Sequence, residues 1–455
     1  MSGAKREIKI AYIGGGSQGW APALFTDLAL CEQLTGALAL YDIDRRGAEF
    51  NVTVARRFFD HPDARTRFAV SVEATPAAAL KGADFVVMSI EPGPITMRYA
   101  ELEIPRQYGI IQPVADSVGP GGWIRALRTI PTYVGYARQI MRHCPKAWVI
   151  NFTNPMTLCT QSLYAAEPSI KAFGCCHEVF GTQHRLSELI ARWFKVPAPP
   201  RSEIKFDLAG VNHFTFATAA TWKGIDLFPR LRELVSHDEF FKDRTAETAR
   251  AKRKAGFFGS HGLISFDLFR RFGALGAAGD RHLAEFVPWY LGDEKTLHRW
   301  GVLLTPYAWR VKWDRMKKRH QYAVPEKLHH TGEEAVEQML AILGFAPMDT
   351  NVNVPNRGQS PDLPLGAVVE SNSFFRLNEV RPAVSGALPE VLAGHMRRVV
   401  ANQQNLLQAA LAKDKDRAFQ VLLNDPLVRI PTDQAYRMMT EMLRYTRSML
   451  PGWKI

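Results

Sequence analysis

No stretch of this chain approaches the roughly 18 to 20 consecutive apolar residues that cross a bilayer. Its start, Met1-Ser2-Gly3-Ala4-Lys5-Arg6-Glu7, lacks the apolar core and small-residue cleavage site of a secretory signal. Together these absences lead us to expect a soluble, cytoplasmic protein without membrane contact. Cysteine is sparse: Cys31, Cys144, Cys159, Cys175 and Cys176 are the five thiols in 455 residues. So thin and odd a set argues against a disulfide framework and for a reducing compartment, which leaves any special cysteine as a ligand or a reactive thiol. Acidic residues are fewer than basic ones, 45 against 57, for a formal net charge of +12. That excess fits nucleic acid, an acidic surface or an anionic small substrate equally well. No nucleic-acid module accompanies the densest basic run, Arg310–His320; it reads as a solvated helix face or subunit rim, and no nucleic-acid partner is expected. Fixed-period repeats and low-complexity tracts are also missing, which excludes solenoids and disordered arrays.

What is present is a core-forming composition, 46% hydrophobic, in a length that suits two or three domains. Short β-rich runs alternate with longer helical stretches up to about residue 211, the pattern of a parallel sheet wrapped by helices. The predicted strands are Ile8–Ile13, Ala37–Tyr41, Asp84–Ile90, Trp148–Asn151 and Ala172–Cys175, with helices at Ala21–Leu30, Arg45–Phe59, Ile124–Arg142 and Pro155–Ala166. Residues 113–122 are glycine-rich and read as a loop on the phosphate or substrate side, with a helix starting at Trp123. Past Pro200 come strand-like Ile204–Val211 and Phe214–Thr221, then mostly helices, including Val391–Leu411 and Ala435–Met449. The expected class is α/β: a Rossmann-like doubly wound sheet over 1–200 and an α+β unit over 201–455 for substrate, metal and oligomer contacts.

Gly14-Gly15-Gly16-Ser17-Gln18-Gly19 has G-x-G-x-x-G spacing, follows the strand Ile8–Ile13 and precedes a helix. In that context Gly14 permits the tight turn, Gly16 lets backbone approach a pyrophosphate, Gly19 allows close helix packing, and the helix N-terminus offers amides to phosphate. Asp42 ends the next strand, where a carboxylate accepts from ribose hydroxyls and disfavours a 2′-phosphate, so NAD is expected over NADP. Ser17, Gln18, Glu91 and Asn151 are counted with this cofactor site.

Gly174-Cys175-Cys176-His177-Glu178 follows another strand, and His213 ends a later one. A thiolate and an imidazole suit a borderline transition metal with coordination sites left for substrate. Read alone, Cys176 and His213 fit a packed thiol and a hydrogen-bonded core histidine just as well. Asn151-Phe152-Thr153-Asn154-Pro155, Asp116 and Ala278-Gly279-Asp280-Arg281-His282 place further polar groups at strand ends and loops. Each could serve a site or a turn, and Asp280 could be a helix N-cap.

At these residues the chain resembles the family 4 glycoside hydrolases, the NAD- and metal-dependent glycosidases. The matching segments are Ile8–Trp20, Asp116–Pro131, Asn151–Thr157, Gly174–Gln183, Gly210–Phe214, Gly279–Pro288, Asn351–Gln359 and Ser385–Pro389. Gly174–Gln183 together with Ala277–Phe286 resembles, more narrowly, the α-galacturonidase branch. The resemblance implies a fold like that of lactate and malate dehydrogenases, NAD bound throughout turnover, and a divalent metal, usually manganese, on Cys176 and His213. It implies cleavage by elimination: oxidation at sugar C3 acidifies the C2 proton, a base removes it, the aglycone leaves C1, water adds and the hydride returns. Asn154 is implied to hold sugar hydroxyls and His177 to protonate the leaving oxygen or to orient the cysteine loop. Many members are assigned a tyrosine base in a segment where this chain, over Gly256–His282, has no tyrosine; Asp280 is expected to stand in. Asp116, Arg281 and His282 are expected on the substrate, Arg281 and His282 being suited to a uronate carboxylate.

The expected activity is release of galacturonate from pectin-derived oligogalacturonides, by a homodimer or homotetramer. Other specificities within the family remain open: α-glucuronidase, α-glucosidase, α-galactosidase or 6-phosphoglycosidase. So do a malate-type dehydrogenase and a nicotinamide-sensing binding protein.

Overall fold

The structure is a computed structural model that describes residues 5–317 and 324–455. Met1–Ala4 of the N-terminal segment and Lys318, Arg319 and His320 of the basic run lie outside the described residues. Six strands, β1 (Arg6–Ile13), β2 (Leu34–Tyr41), β3 (Phe68–Val72), β4 (Phe85–Met88), β5 (Trp148–Asn151) and β6 (Lys171–Gly174), form a parallel sheet in the order β3-β2-β1-β4-β5-β6. This is the doubly wound arrangement, and every residue of β4 is buried, as a strand covered on both faces requires. The helix Arg45–Phe59 buries Val52, Ala55, Phe58 and Phe59 on one side, and the Asp44 carboxylate caps it by accepting from Gly47 N.

Two antiparallel strands, β7 (Ile204–Val211) and β8 (Phe214–Trp222), start a second sheet that β9 (Ile225–Asp226) and β10 (Leu275–Gly276) complete. The chain then returns: β11 (Met348–Pro355), β12 (Val368–Arg376) and β13 (Glu379–Pro382) add antiparallel strands beside β6, so the first sheet has nine strands. Leu208 N in β7 donates to Asn372 Oδ1 in β12 at 2.9 Å, which ties the two sheets together.

Several elements differ from their sequence reading: the parallel strand β3 and the helices Arg98–Gln107 and Glu178–Phe194 were not among the expected elements. The helix expected to start at Trp123 begins at Gly119 and runs to His143, with Pro120 in its first turn. Glycine is required there by close approach: a Cβ on Gly121 would lie 2.5 Å from Ala115 Cβ, and one on Gly122 2.4 Å from the Ser117 carbonyl carbon. The stretch from Met348 to Pro382 was expected among helices and long loops and is instead the three added strands. The long C-terminal helix, Glu390–Ala412, falls where periodicity put it. No helix among the described residues is long and apolar enough to cross a membrane.

Candidate active site

The cofactor loop is shaped by its neighbours. Gly14 has φ +92°, and a Cβ there would lie 2.0 Å from the Ser89 carbonyl oxygen, so only glycine fits. The amides of Gly14 and Gly15 both donate to Tyr41 O at 2.9 Å, and Gly16 N donates to Asp42 Oδ2 at 2.9 Å. The loop therefore lies against the end of β2, with the Asp42 carboxylate beside it where a ribose would rest. Asn51 braces the turn from below, donating to Gly15 O and Ser17 O at 2.7 and 2.8 Å. Ser17 faces Ser89, oxygen to oxygen at 3.3 Å, and Gln18 keeps a buried Oε1 with no partner, a polar atom suited to a ligand. This cradle fits a dinucleotide. Gly19 does not have the packing role expected of it: it is exposed, and a Cβ there would meet nothing within 4 Å. Glu91 pairs with Arg98 and Arg125 at 2.8 and 3.3 Å. Asn151 is fully buried and turned inward, accepting from Tyr133 Oη at 2.6 Å and from Thr153 N at 3.0 Å; it shapes the loop that carries Asn154.

Beside this cradle three donors converge: Asp116, His213 and His282 bring one ligand atom each within 4.8 Å of one another. Asp116 sits on a loop whose Val114 and Ala115 amides donate to Glu285 Oε1 at 2.6 and 2.9 Å. His213 is the second residue of the two-residue turn between β7 and β8 and has φ +67°, an uncommon backbone for a side chain of this size, which projects it into the cluster. His282 lies on the short helix Asp280–Phe286, its ring 3.7 Å from that of His213. Asn154 Nδ2 donates to Asp116 Oδ2 at 3.1 Å, and Ser117 Oγ stands 2.9 Å from both Asp116 Oδ1 and His213 Nδ1.

Electrostatics tighten this arrangement. Burial alone would raise the Asp116 carboxyl, but His282, His213 and Arg125 outweigh it and hold the group well below the usual carboxylate range. Burial and the neighbouring His282 push His213 down to about 3, a neutral imidazole free to ligate. The Cys176 thiol is pushed up by burial and by the Glu370 and Glu178 carboxylates. A thiol in so negative a pocket ionises only beside a cation, so the donor chemistry fits a divalent metal. His177 is exposed at the cavity mouth and is raised by its hydrogen bond to Glu333, 3.1 Å from Nδ1 to Oε1, with Trp20 at 5.2 Å between ring centroids.

Asp280 lies outside this three-donor group, on the same short helix as His282, and its buried Oδ2 has no partner among the described residues. Its Oδ1 accepts from the amides of Ile264 and Ser265 at 3.1 Å each, so it caps the helix Leu263–Phe272 rather than its own. Arg281 is 8% exposed and donates from Nη2 to Pro113 O and Thr305 Oγ1, both at 2.6 Å. A cavity of about 440 Å³ opens beside the cluster, with His177, Glu178, Arg281, His282 and Arg310 among its lining. Arg310 corrects the reading of its run as a solvated face: Lys312 and Arg315 are exposed, whereas Arg310 Nε is sealed from solvent. One side of the helix Tyr307–Lys317 faces the cavity and another faces water.

The family model described as family 4 glycosyl hydrolase matches residues 9–192, and the model of that family's C-terminal domain matches residues 208–428. The chain belongs to family 4 of the glycosyl hydrolases. An alpha-galacturonidase of Thermoanaerobacterium saccharolyticum is 45% identical over 100% of this chain and 98% of its own. LplD of Bacillus subtilis superposes with a TM-score of 0.88 at 40% identity, over 96% of this chain and 100% of that one. The 6-phospho-beta-glucosidase of Thermotoga maritima, solved with manganese, NAD+ and glucose-6-phosphate, gives 0.76 at 21% identity over 97% and 99%. A lactate dehydrogenase from a deep-sea metagenome library gives 0.52 at 12% identity over 89% and 99%, and shares the dinucleotide-binding fold.

In this family 4 chain the sequence reading missed four residues that shape the site. Glu178 Oε2 accepts from Gly279 N at 2.8 Å, and its Oε1 lies 3.5 Å from His282 Nε2. It stood inside the quoted Gly174–Glu178 motif, and that adjacency was the available signal. Ser117, Glu285 and Arg310 also stood inside quoted segments, but the partners that give them their place, His213 for Ser117, the Val114 and Ala115 amides for Glu285 and the Pro113 carbonyl for Arg310, are remote in sequence.

Proposed function

We propose that this protein is an α-galacturonidase that releases galacturonate from α-galacturonides with NAD and a divalent metal, manganese being the natural candidate. The observation that carries the reading is the 45% identity, across the whole chain, to a protein of that name. When bound, NAD supplies reversible hydride exchange at sugar C3 and the metal polarises the neighbouring sugar oxygens. The glycine loop and Asp42 hold the dinucleotide. His213 with Cys176 is the proposed donor pair, and Asp116 and Asn154 orient the sugar hydroxyls. His177, protonated through Glu333, delivers a proton to the oxygen leaving C1. The proton at C2 goes to His282 in this reading rather than to Asp280, because His282 stands in the group with Asp116 and His213, whereas Asp280 lies outside it with Oδ1 held by two backbone amides. Glu178 orients His282 and supports its charged form. We further propose a cytoplasmic homodimer or homotetramer; the free, buried state of all five cysteines supports a reducing compartment.

The test is hydrolysis of a galacturonide oligomer with NAD and manganese added or withheld, run in deuterated water. Galacturonate released only with both present, carrying deuterium at C2, is the expected result. Product without deuterium overturns the elimination route, bulk reduction of NAD would mark a dehydrogenase, and NAD binding without turnover would mark a sensor.

A further inference from the structure

Arg281 and Arg310 form an unusual pair. Both line the cavity, and both donate from Nη2 to the same acceptor, the Pro113 carbonyl, at 2.6 and 3.3 Å. The Nε of each is buried and has no partner. No ion pair forms at either guanidinium among the described residues. Elsewhere in this region the cations are matched: Arg98 pairs with Glu91, and Arg125 with Glu91 and Glu101. Arg185, which also lines the cavity, is engaged by the carbonyls of Ser260 and His261 at 3.0 and 2.7 Å. Arg310 is held well below the usual arginine range by burial and by repulsion from Arg98, Arg281 and Arg125. The Glu285, Glu178 and Asp116 carboxylates offset the charge of Arg281, whereas Asp116 alone opposes the three cations around the half-buried Arg310; a guanidinium so placed is unfavourable unless an anion joins it. The guanidinium fork is matched in geometry to a carboxylate.

We infer that Arg310, supported by Arg281 through their shared Pro113 carbonyl, is the receptor for the carboxylate at C6 of the sugar and sets the preference for a uronide over a neutral glycoside. This rests on the proposed galacturonide activity and assigns it a specificity-determining residue. His282, next to Arg281 on the same short helix, belongs to the cluster at the sugar's reacting carbons. C5, which carries the carboxylate, lies across the ring from C2, so an anion site beside that cluster in a cavity of about 440 Å³ suits one sugar.

The experiment compares 4-nitrophenyl α-galacturonide, α-galactoside and α-galactoside 6-phosphate, with NAD and manganese present, on the wild type, Arg310→Met and Arg310→Lys. In Arg310→Met the galacturonide-to-galactoside ratio of kcat/KM is expected to fall about 100-fold. Arg310→Lys keeps charge and length but loses the fork, and the ratio is expected to fall about tenfold. The melting temperature of Arg310→Met without substrate should equal or exceed that of the wild type, because an unpaired buried charge is gone. An unchanged ratio in both variants, or equal loss on both substrates with a lowered melting temperature, overturns the assignment while the galacturonidase reading stands. A wild type that ignores the galacturonide overturns that reading and the inference with it. A wild type that prefers the 6-phosphate, with the preference lost in Arg310→Met, overturns carboxylate as the anion.

Discussion

Cys176 is a thiol that its surroundings keep protonated. It is 6% exposed, and both burial and the Glu370 and Glu178 carboxylates oppose a thiolate. A divalent cation reverses that balance, so metal content is the direct readout of its role. Cys176→Ser and His213→Ala are expected to lower bound metal per chain at least tenfold, measured by elemental analysis after gel filtration. His282→Ala should keep the metal and lose activity by about 100-fold or more. The opposite pattern, metal lost with His282 and kept without Cys176, would make Asp116, His213 and His282 the donor set. Glu285 offers a second test at this scale. Burial outweighs the two amides it accepts and raises its carboxyl from 4.5 to about 7. The folded state thus binds this proton more tightly than the unfolded chain. The stability Glu285 contributes is fully present below about pH 4.5 and is lost as pH rises through about 7. Relative to Glu285→Gln, the wild type should lose up to about 3 kcal/mol between pH 4.5 and 8.5, measured by urea unfolding.

Helices and strands set which of these side chains meet. The helix Leu263–Phe272 starts after Gly262, at φ +72°, with no side-chain cap of its own, and Asp280 supplies one from the neighbouring helix. Asp280→Ala should therefore cost about 1–3 kcal/mol of stability, read by thermal unfolding. Asp280→Asn, which keeps an accepting oxygen, should stay within about tenfold of wild-type kcat; a loss of 1000-fold or more with an intact fold would restore Asp280 as the base. The same element shows where sequence reading stops. Asp280 was legible as a cap or a base, but the amides it serves lie across a loop that spacing does not encode. Five of the six parallel strands and the helices Arg45–Phe59 and Glu390–Ala412 were legible from the sequence pattern; β3, Phe68–Val72, was not. β11 was not, because Thr350-Asn351-Val352-Asn353-Val354 alternates asparagine with valine, and asparagine is depleted in strands. Both asparagines are buried here: Asn351 Nδ2 donates to Cys176 O and Glu370 Oε1 at 3.2 and 2.9 Å, and Asn353 Nδ2 donates to Met156 Sδ at 3.4 Å.

Across the whole molecule, the proposed ligands should act as stabilisers. NAD at about 100 times its dissociation constant adds about 2.7 kcal/mol to a fold that alone binds it, a rise of roughly 3 °C in melting temperature for a chain of this size. Scanning calorimetry with and without NAD checks this, and Gly14→Ala should abolish the shift, since its Cβ would collide with the Ser89 carbonyl. Chain order alone decided the dinucleotide unit and the α/β class, because strand, glycine loop, helix and Asp42 are contiguous and each acts on its near neighbours. It also carried the family, through motifs that lie in single segments. The tertiary arrangement decided the rest. Asp116, Glu178, His213, His282 and Arg310 come from separate loops and helices of both sheets, and their separations follow from how β7, β12 and the short helices pack. Whether a carboxylate caps a helix or faces a sugar, and whether an arginine meets water or an anion, depends on that packing, which no local spacing specifies.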